Sequence, residues 1–246
     1  MLARSLVLLA AVMPVCAQDS DVTKYIEGLR AQVSAPRDVK GEAKQLLADF
    51  TKRLETTTEP ARRADLYFNM SGLQRTLGDP AAALTSVRTA RSLQPDNQRI
   101  ALGLASELLE NGQIGEVPAL LGVDPTDGQA LLHKANELGH SHPDLAVYCG
   151  ELAHQLIPQD AIVTDELGTL YLRQGKTAEA SNVFLQAVAG APQVAQYHYD
   201  LALSMLLRRR NDDARTQLLT ALECHPLDDE RASIQAALLH LDSPKK

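Results

Sequence analysis

Two histidines and two glutamates come nearest to a chemical site in this sequence. His133 and Glu137 stand four residues apart and share a face if their stretch is helical, while Glu151 and His154 stand three apart on the stretch that follows. Imidazole and carboxylate side chains projected from facing helices could converge as metal ligands, so a metal-dependent activity would be built here. The same stretch also offers a competing seam. If Leu131, Leu132, Ala135 and Leu138 carry the apolar face, His133 and Glu137 turn outward into solvent. His140-Ser141-His142 beside Pro143 is a polar turn whose two imidazoles would need a third ligand from elsewhere.

Other chemistry-bearing patterns are missing from the sequence. It contains no phosphate-cradling glycine loop, no Gly-x-Ser-x-Gly elbow and no Cys-x-x-Cys pair. Arg208-Arg209-Arg210 precedes Asn211 at the expected end of a helix, where cations complement the dipole. Asn69-Met70-Ser71 has the form of a glycosylation sequon but falls inside an expected helix, which makes Asn69 a structural or groove-facing amide. The sequence thus implies no enzyme, no cofactor and no bound metal. A formal net charge of -7 and a pI near 5.5 exclude a nucleic-acid binder, which needs a basic face to neutralise phosphates.

The first residues have the build of an export signal. Arg4 gives a positive start, Leu6 to Met13 an apolar run, and Val15-Cys16-Ala17 a small-residue site for cleavage after Ala17. That run is shorter than the ~20 residues a bilayer span takes, and no later stretch qualifies. Met13-Pro14-Val15 ahead of Cys16 lacks the small residues of a lipoprotein signal, so a lipid anchor at Cys16 is not implied. Cys149 and Cys224 would then be the only thiols of the mature chain, too few and too far apart for a disulfide framework. The expectation is an exported protein, periplasmic or secreted.

The elements that must position these residues follow from composition and period. Hydrophobic residues make up 45% of the chain and aromatics only 4%, with no Trp, which suits helices packed closely through small side chains. Pro158, Pro192 and Pro226 recur every 34 residues. Between Ala161 and Val194 the chain reads Leu167-Gly168, Tyr171, Gly175, Ala180, Phe184, Ala187 and Pro192. Leu201-Ala202, Met205, Ala214, Leu218, Ala221 and Pro226 repeat that scheme, as do Tyr67, Met70-Ser71, Gly78, Ala83, Val87, Ala90 and Pro95. The physical logic is a helix pair: Leu167, Tyr171, Phe184 and Val188 form its seam, Gly168 and Ala180 let the backbones approach, Gly175 makes the turn, and Pro192 stops the second helix.

This pattern resembles the tetratricopeptide repeat. The resemblance implies an all-α fold, a right-handed α-solenoid of stacked antiparallel helix pairs in which each pair needs neighbours to bury its second face. On this reading residues 1–17 are the signal and 18–63 an N-terminal helical region with the form of a divergent repeat. The array runs over 64–228, divided as 64–97, 98–127, 128–160, 161–194 and 195–228. The second unit is degenerate with a clipped second helix, the third is degenerate where His133, Lys134 and Glu137 interrupt the pattern, and 229–246 hold a capping helix and tail.

In this family the first helix of each pair lines a concave groove. By register that face is Phe68, Gly72 and Arg75, then Arg99, Leu102 and Ser106, then Leu131 and Ala135, then Asp165, Thr169 and Arg173, and finally Tyr199, Leu203 and Leu206. Members that hold a chaperone's C-terminal carboxylate use a Lys/Asn clamp at these places. Phe68 and Gly72, Leu131 and Ala135, Asp165 and Thr169 stand there instead, so that ligand is not implied. The implied partner is a protein or peptide, held as an extended segment or an amphipathic helix, with Phe68 and Leu102 as anchors. The function expected is an exported adaptor or scaffold; the alternatives are an accessory subunit or periplasmic chaperone of an enzyme encoded elsewhere, and a metal-binding enzyme built on the His133 cluster.

Overall fold

A computed structural model describes residues 38–242. The export signal, the first part of the N-terminal helical region up to residue 37, and the tail after Asp242 lie outside the described residues. The described chain forms twelve α-helices and one short 3-10 turn, and no strand occurs among the described residues.

The helices are α1 (Val39–Thr56), α2 (Pro60–Leu77), α3 (Pro80–Leu93), α4 (Gln98–Glu110), α5 (Val117–Leu121) and α6 (Gly128–Leu138). They continue with α7 (Pro143–Leu156), α8 (Ala161–Arg173), α9 (Thr177–Gly190), α10 (Ala195–Leu207), α11 (Asn211–Glu223) and α12 (Asp228–Asp242). Their starts are written in the sequence. Asp38, Asp79, Asn97, Asp127 and Asp160 each accept a hydrogen bond from a backbone N–H of the first turn, and Pro60, Pro80 and Pro143 occupy first-turn positions where a missing N–H costs nothing. Gly78, Gly112 and Gly175 take left-handed φ values of 85°, 69° and 73° at the turns within three pairs, and Gly122 does so at 66° after α5. No described helix is long and apolar enough to cross a membrane.

Consecutive helices pack as antiparallel pairs, α2 with α3, α6 with α7, α8 with α9 and α10 with α11, and the pairs stack through α3 on α4, α7 on α8 and α9 on α10. The apolar positions read from the 34-residue period are the core. Ala180, Phe184, Ala187, Leu201, Ala214, Leu218 and Ala221 are fully buried, and Leu167 nearly so. A Cβ on Gly168 would lie 2.5–2.7 Å from the Phe184 ring, so the backbone of α8 rests on that ring and only glycine fits the contact. Gly150 on α7 makes the same kind of approach, to Leu170 of α8.

The stack has one irregular layer. After α4 the chain makes a 3-10 turn at Ile114–Glu116 and a second helix of only five residues, α5. Alongside this stub α4 packs on α7, and the Tyr148 hydroxyl of α7 donates to the Ile114 carbonyl at 3.4 Å. Val117 and Leu121 still enter the core, so α5 fills its layer with few residues. At the C-terminal end α12 covers α10 and α11 through Ile234, while Leu238 and Leu241 pack at its edge. Its outer face carries Asp229, Arg231 and Gln235 exposed.

Candidate protein-binding groove

The first helices of the pairs, α2, α4, α6, α8 and α10, present the residues that the register assigns to the groove. In the N-terminal half the charges are paired across neighbouring helices. Arg99 of α4 reaches Asp65 of α2 at 2.6 Å, and Arg75 of α2 reaches Glu110 at 3.1 Å and Glu107 at 3.3 Å on α4. Glu107 is only 3% exposed; burial pushes its carboxyl up, Arg75 holds it back, and its second oxygen has no partner among the described residues. Arg99 also lies over the Phe68 ring, 4.6 Å from its centroid. That ring is half-buried and rests against Gly103 of α4, where a Cβ would collide with it. Phe68 and Leu102 are therefore wall packing as well as groove surface, both lying against the core. Ser106 is half-buried one turn beyond Leu102, and space is open over Gly72, where a Cβ would touch nothing.

The middle of the groove corrects one assignment. Leu131 is fully buried, and so is Ala135. Leu131, Leu132, Ala135 and Leu138 form the continuous apolar stripe of α6 that the core takes up, so Leu131 has no surface to give a partner.

The C-terminal half is acidic and not internally paired. Asp165 of α8 is 9% exposed, and its Oδ1 is closed to solvent without a hydrogen-bond partner among the described residues. Burial pushes its carboxyl up to about 8, with Asp200 of α10 and the adjacent Glu166 adding like-charge repulsion. Asp200 is pushed up to about 6, first by burial and also by Glu166, although the Gln196 amide donates to it at 2.7 Å and works the other way. The Tyr197 hydroxyl is raised by burial and by Asp165, Asp160 and Glu166. Thr169 and Leu203 are half-buried on this face, and Tyr199 lines a cavity of about 300 Å³ with Gln196, Asp229, Glu230, Ser233 and Ile234. Arg173 is drawn elsewhere: one of its terminal nitrogens lies 2.8 Å from where a Cβ on Gly139 would sit, at the C-terminus of α6, where exposed carbonyls favour a cation.

Residues 166–229 match the family model described as tetratricopeptide repeat, and the matched stretch runs from within α8 to the start of α12. That stretch is built of tetratricopeptide repeats. Among solved structures the chain is similar to a thermophilic TPR protein of Thermus thermophilus, with 22% identity over 72% of this chain and 99% of that one and a TM-score of 0.42. It is also similar to YrrB, described as a TPR protein with an unusual peptide-binding site, with 18% identity, 76% and 97% coverage and a TM-score of 0.43. The first TPR of Spaghetti bound to an HSP90 peptide gives 19% identity, 49% and 98% coverage and a TM-score of 0.43. No curated protein matches the chain. The assignment rests on the matched residues and on the repeat register.

Within the stacked helices the His133 group does not converge. His133 and Glu137 are exposed, with Glu137 bound to Lys134 at 2.7 Å. Glu151 accepts from the Tyr171 hydroxyl at 2.7 Å, and His154 Nδ1 lies 3.2 Å from the Thr164 hydroxyl. Among the described residues no three such groups stand together to share an ion. The pair Glu166 and Asp200 is not among the residues that the register assigns to the groove. They occupy one register position in successive tetratricopeptide repeats, 34 residues apart, beside the groove position of Asp165 and Tyr199. Two acids recurring at one place in consecutive repeats were the available signal.

Proposed function

We propose that this chain is an exported adaptor or scaffold that holds a protein partner in its concave groove and acts by binding rather than by catalysis. The observation that carries the reading is the set of half-buried side chains on one face of four first helices, α2, α4, α8 and α10: Phe68, Leu102, Thr169, Tyr199 and Leu203. Side chains that are part apolar and part exposed, set on the first helices either side of α6, suit an extended or helical segment laid along them, and a solenoid offers such a face without any catalytic centre.

A photo-reactive amino acid placed at Thr169 tests this directly in the native host. Irradiation is expected to give a discrete adduct with another protein, while the same group at the exposed Glu55 of α1 gives none; equal adducts from both places overturn the groove assignment. Export is part of the same proposal and rests on Arg4, the run Leu6 to Met13 and the site at Ala17. N-terminal sequencing of native protein is expected to read from Gln18. Retention of Met1 removes the export half of the proposal and leaves the groove untouched.

A further inference from the structure

The acids of the C-terminal half call for a partner of one chemical kind. No ion pair joins Asp165, Glu166 or Asp200 to a cation among the described residues. Asp165 is more than nine-tenths buried with an oxygen that receives no donor, and it feels the like charge of Asp200 on the next first helix. A buried acceptor without a donor beside a second carboxylate is unfavourable on two counts, desolvation and like charge. An anion would aggravate the second and an apolar side chain the first. A metal ion needs several ligands converging on one point, and no such group is formed by the described residues. A lysine ammonium or arginine guanidinium relieves both, because it brings several donors and a positive charge on a stem long enough to reach a partly buried acid.

The surroundings extend this preference beyond one residue. Gln196, which donates to Asp200, also lines the 300 Å³ cavity beside Tyr199, and that cavity carries two further acids, Asp229 and Glu230. Its walls offer an aromatic face and carboxylates, the surfaces that suit the stem and head of a basic side chain. We propose that Asp165, Glu166 and Asp200 seat a lysine or arginine side chain of the protein partner, as part of a basic segment that continues over Tyr199. This deepens the protein-binding reading given above and rests on it.

The test uses the full mature chain and two labelled peptides, one of alternating alanine and lysine and its glutamate counterpart, titrated by fluorescence anisotropy at low salt. The lysine peptide is expected to bind, and the paired change Asp165→Asn with Asp200→Asn to weaken it about tenfold or more, as loss of charge-assisted contacts should. A control removing the same charge elsewhere, Glu55→Gln with Asp96→Asn at two exposed sites, should leave binding within about twofold, since distant surface charges are screened. Equal loss in both variants reduces the effect to the diffuse attraction of an acidic protein and overturns the proposal. So does failure of the lysine peptide to bind, or tighter binding of the glutamate peptide. Asn matches Asp in shape, and an unchanged or higher melting temperature shows that the array is intact. A Thr169 adduct without lysine-peptide binding would retire the charge assignment alone, and absence of both would retire the groove.

Discussion

The two halves of the groove solve the problem of burying charge in opposite ways. In the N-terminal half each acid is matched by a cation from the neighbouring first helix: Asp65 has Arg99, and Glu107 and Glu110 share Arg75. In the C-terminal half Asp165, Glu166 and Asp200 stand near one another, with no cation among them. The aromatic rings differ in the same sense. Phe68 spans the wall from α2 to Gly103 of α4 and is roofed by Arg99, whereas Phe184 is sunk between α8 and α9 against Gly168. One half is closed upon itself, and the other is left unsatisfied, as a surface waiting for a complementary partner would be.

The sharpest way to break this contrast is at the two glycines. Phe184 is fully buried and has nowhere to go, so Gly168→Leu should destabilise by about 3 kcal/mol, the upper end of overpacking effects. Phe68 is half-exposed and its ring can swing toward solvent, so Gly103→Ala should change stability by less than about 1 kcal/mol, with the helix preference for Ala offsetting the contact. Chemical denaturation of both variants checks this, and similar losses would mean that Phe68 is as much core as Phe184.

Charge removal should have opposite signs in the two halves. Asp165→Asn takes away a carboxylate that burial and two like charges disfavour, and should stabilise at pH 8 by about 2 kcal/mol. Arg75→Ala leaves Glu107 buried without its partner and should destabilise by about 1 kcal/mol, discounted because Arg75 itself is half in solvent. The pH dependence follows from the same groups. The unfolded Asp165 carboxyl loses its proton near pH ~4, while the folded one keeps it up to about 8. The folded state thus holds more protons across that window, and its stability falls as pH rises through it and levels off above about 8. Asp200 adds a shorter fall that ends near 6. The titratable groups that bear on Asp165 are Asp200 and Glu166, with Tyr197 beyond them; on the other packed helices Glu151 and Glu179 bear on Tyr171, and His154 meets Thr164. Denaturation midpoints at pH 6 and pH 8 should differ in the wild type and nearly coincide in Asp165→Asn.

How much of this was legible depends on range. Gly168, Phe184, Leu201 and Leu218 carry the helix-pair seam locally, and a 34-residue period exposes local rules repeated several times, so the all-α solenoid could be read without coordinates. The groove was harder because one register position can be wall, floor or core. Phe68, Leu131, Asp165 and Tyr199 share the place, yet Leu131 is buried in the stripe of α6 while Tyr199 opens on a cavity. Only neighbours from other helices decide that, and Gly103 under Phe68 or the charge of Asp200 acting on Asp165 are relations between repeats that the pattern along one helix does not carry.

The smallest effect sits at the turns, where the two halves differ again. Gly78 and Gly112 make the left-handed turns of the first two pairs, and Gly175 makes that of the fourth, but 34 residues after Gly175 the same place is held by Arg209 at φ 59°. The backbone bonds are kept: Lys176 N donates to the Tyr171 carbonyl at 2.9 Å and Arg210 N to the Met205 carbonyl at 2.9 Å, so the turn is the same and only the residue is unsuited to it. A side chain with a Cβ is strained in that conformation by roughly 1 kcal/mol, and glycine removes the strain while giving back part of the gain through its freer unfolded chain. Arg209→Gly should therefore stabilise by about 0.5 kcal/mol, read as a small rise in denaturation midpoint with unchanged slope. Arg209 lies at the end of α10, where a cation also favours the helix dipole, so Arg209→Asn, which tolerates the left-handed region but drops the charge, separates the two contributions. If Arg209→Gly destabilises while Arg209→Asn does so equally, the charge outweighs the strain, and Arg209 is kept at that turn for its electrostatics at the end of α10.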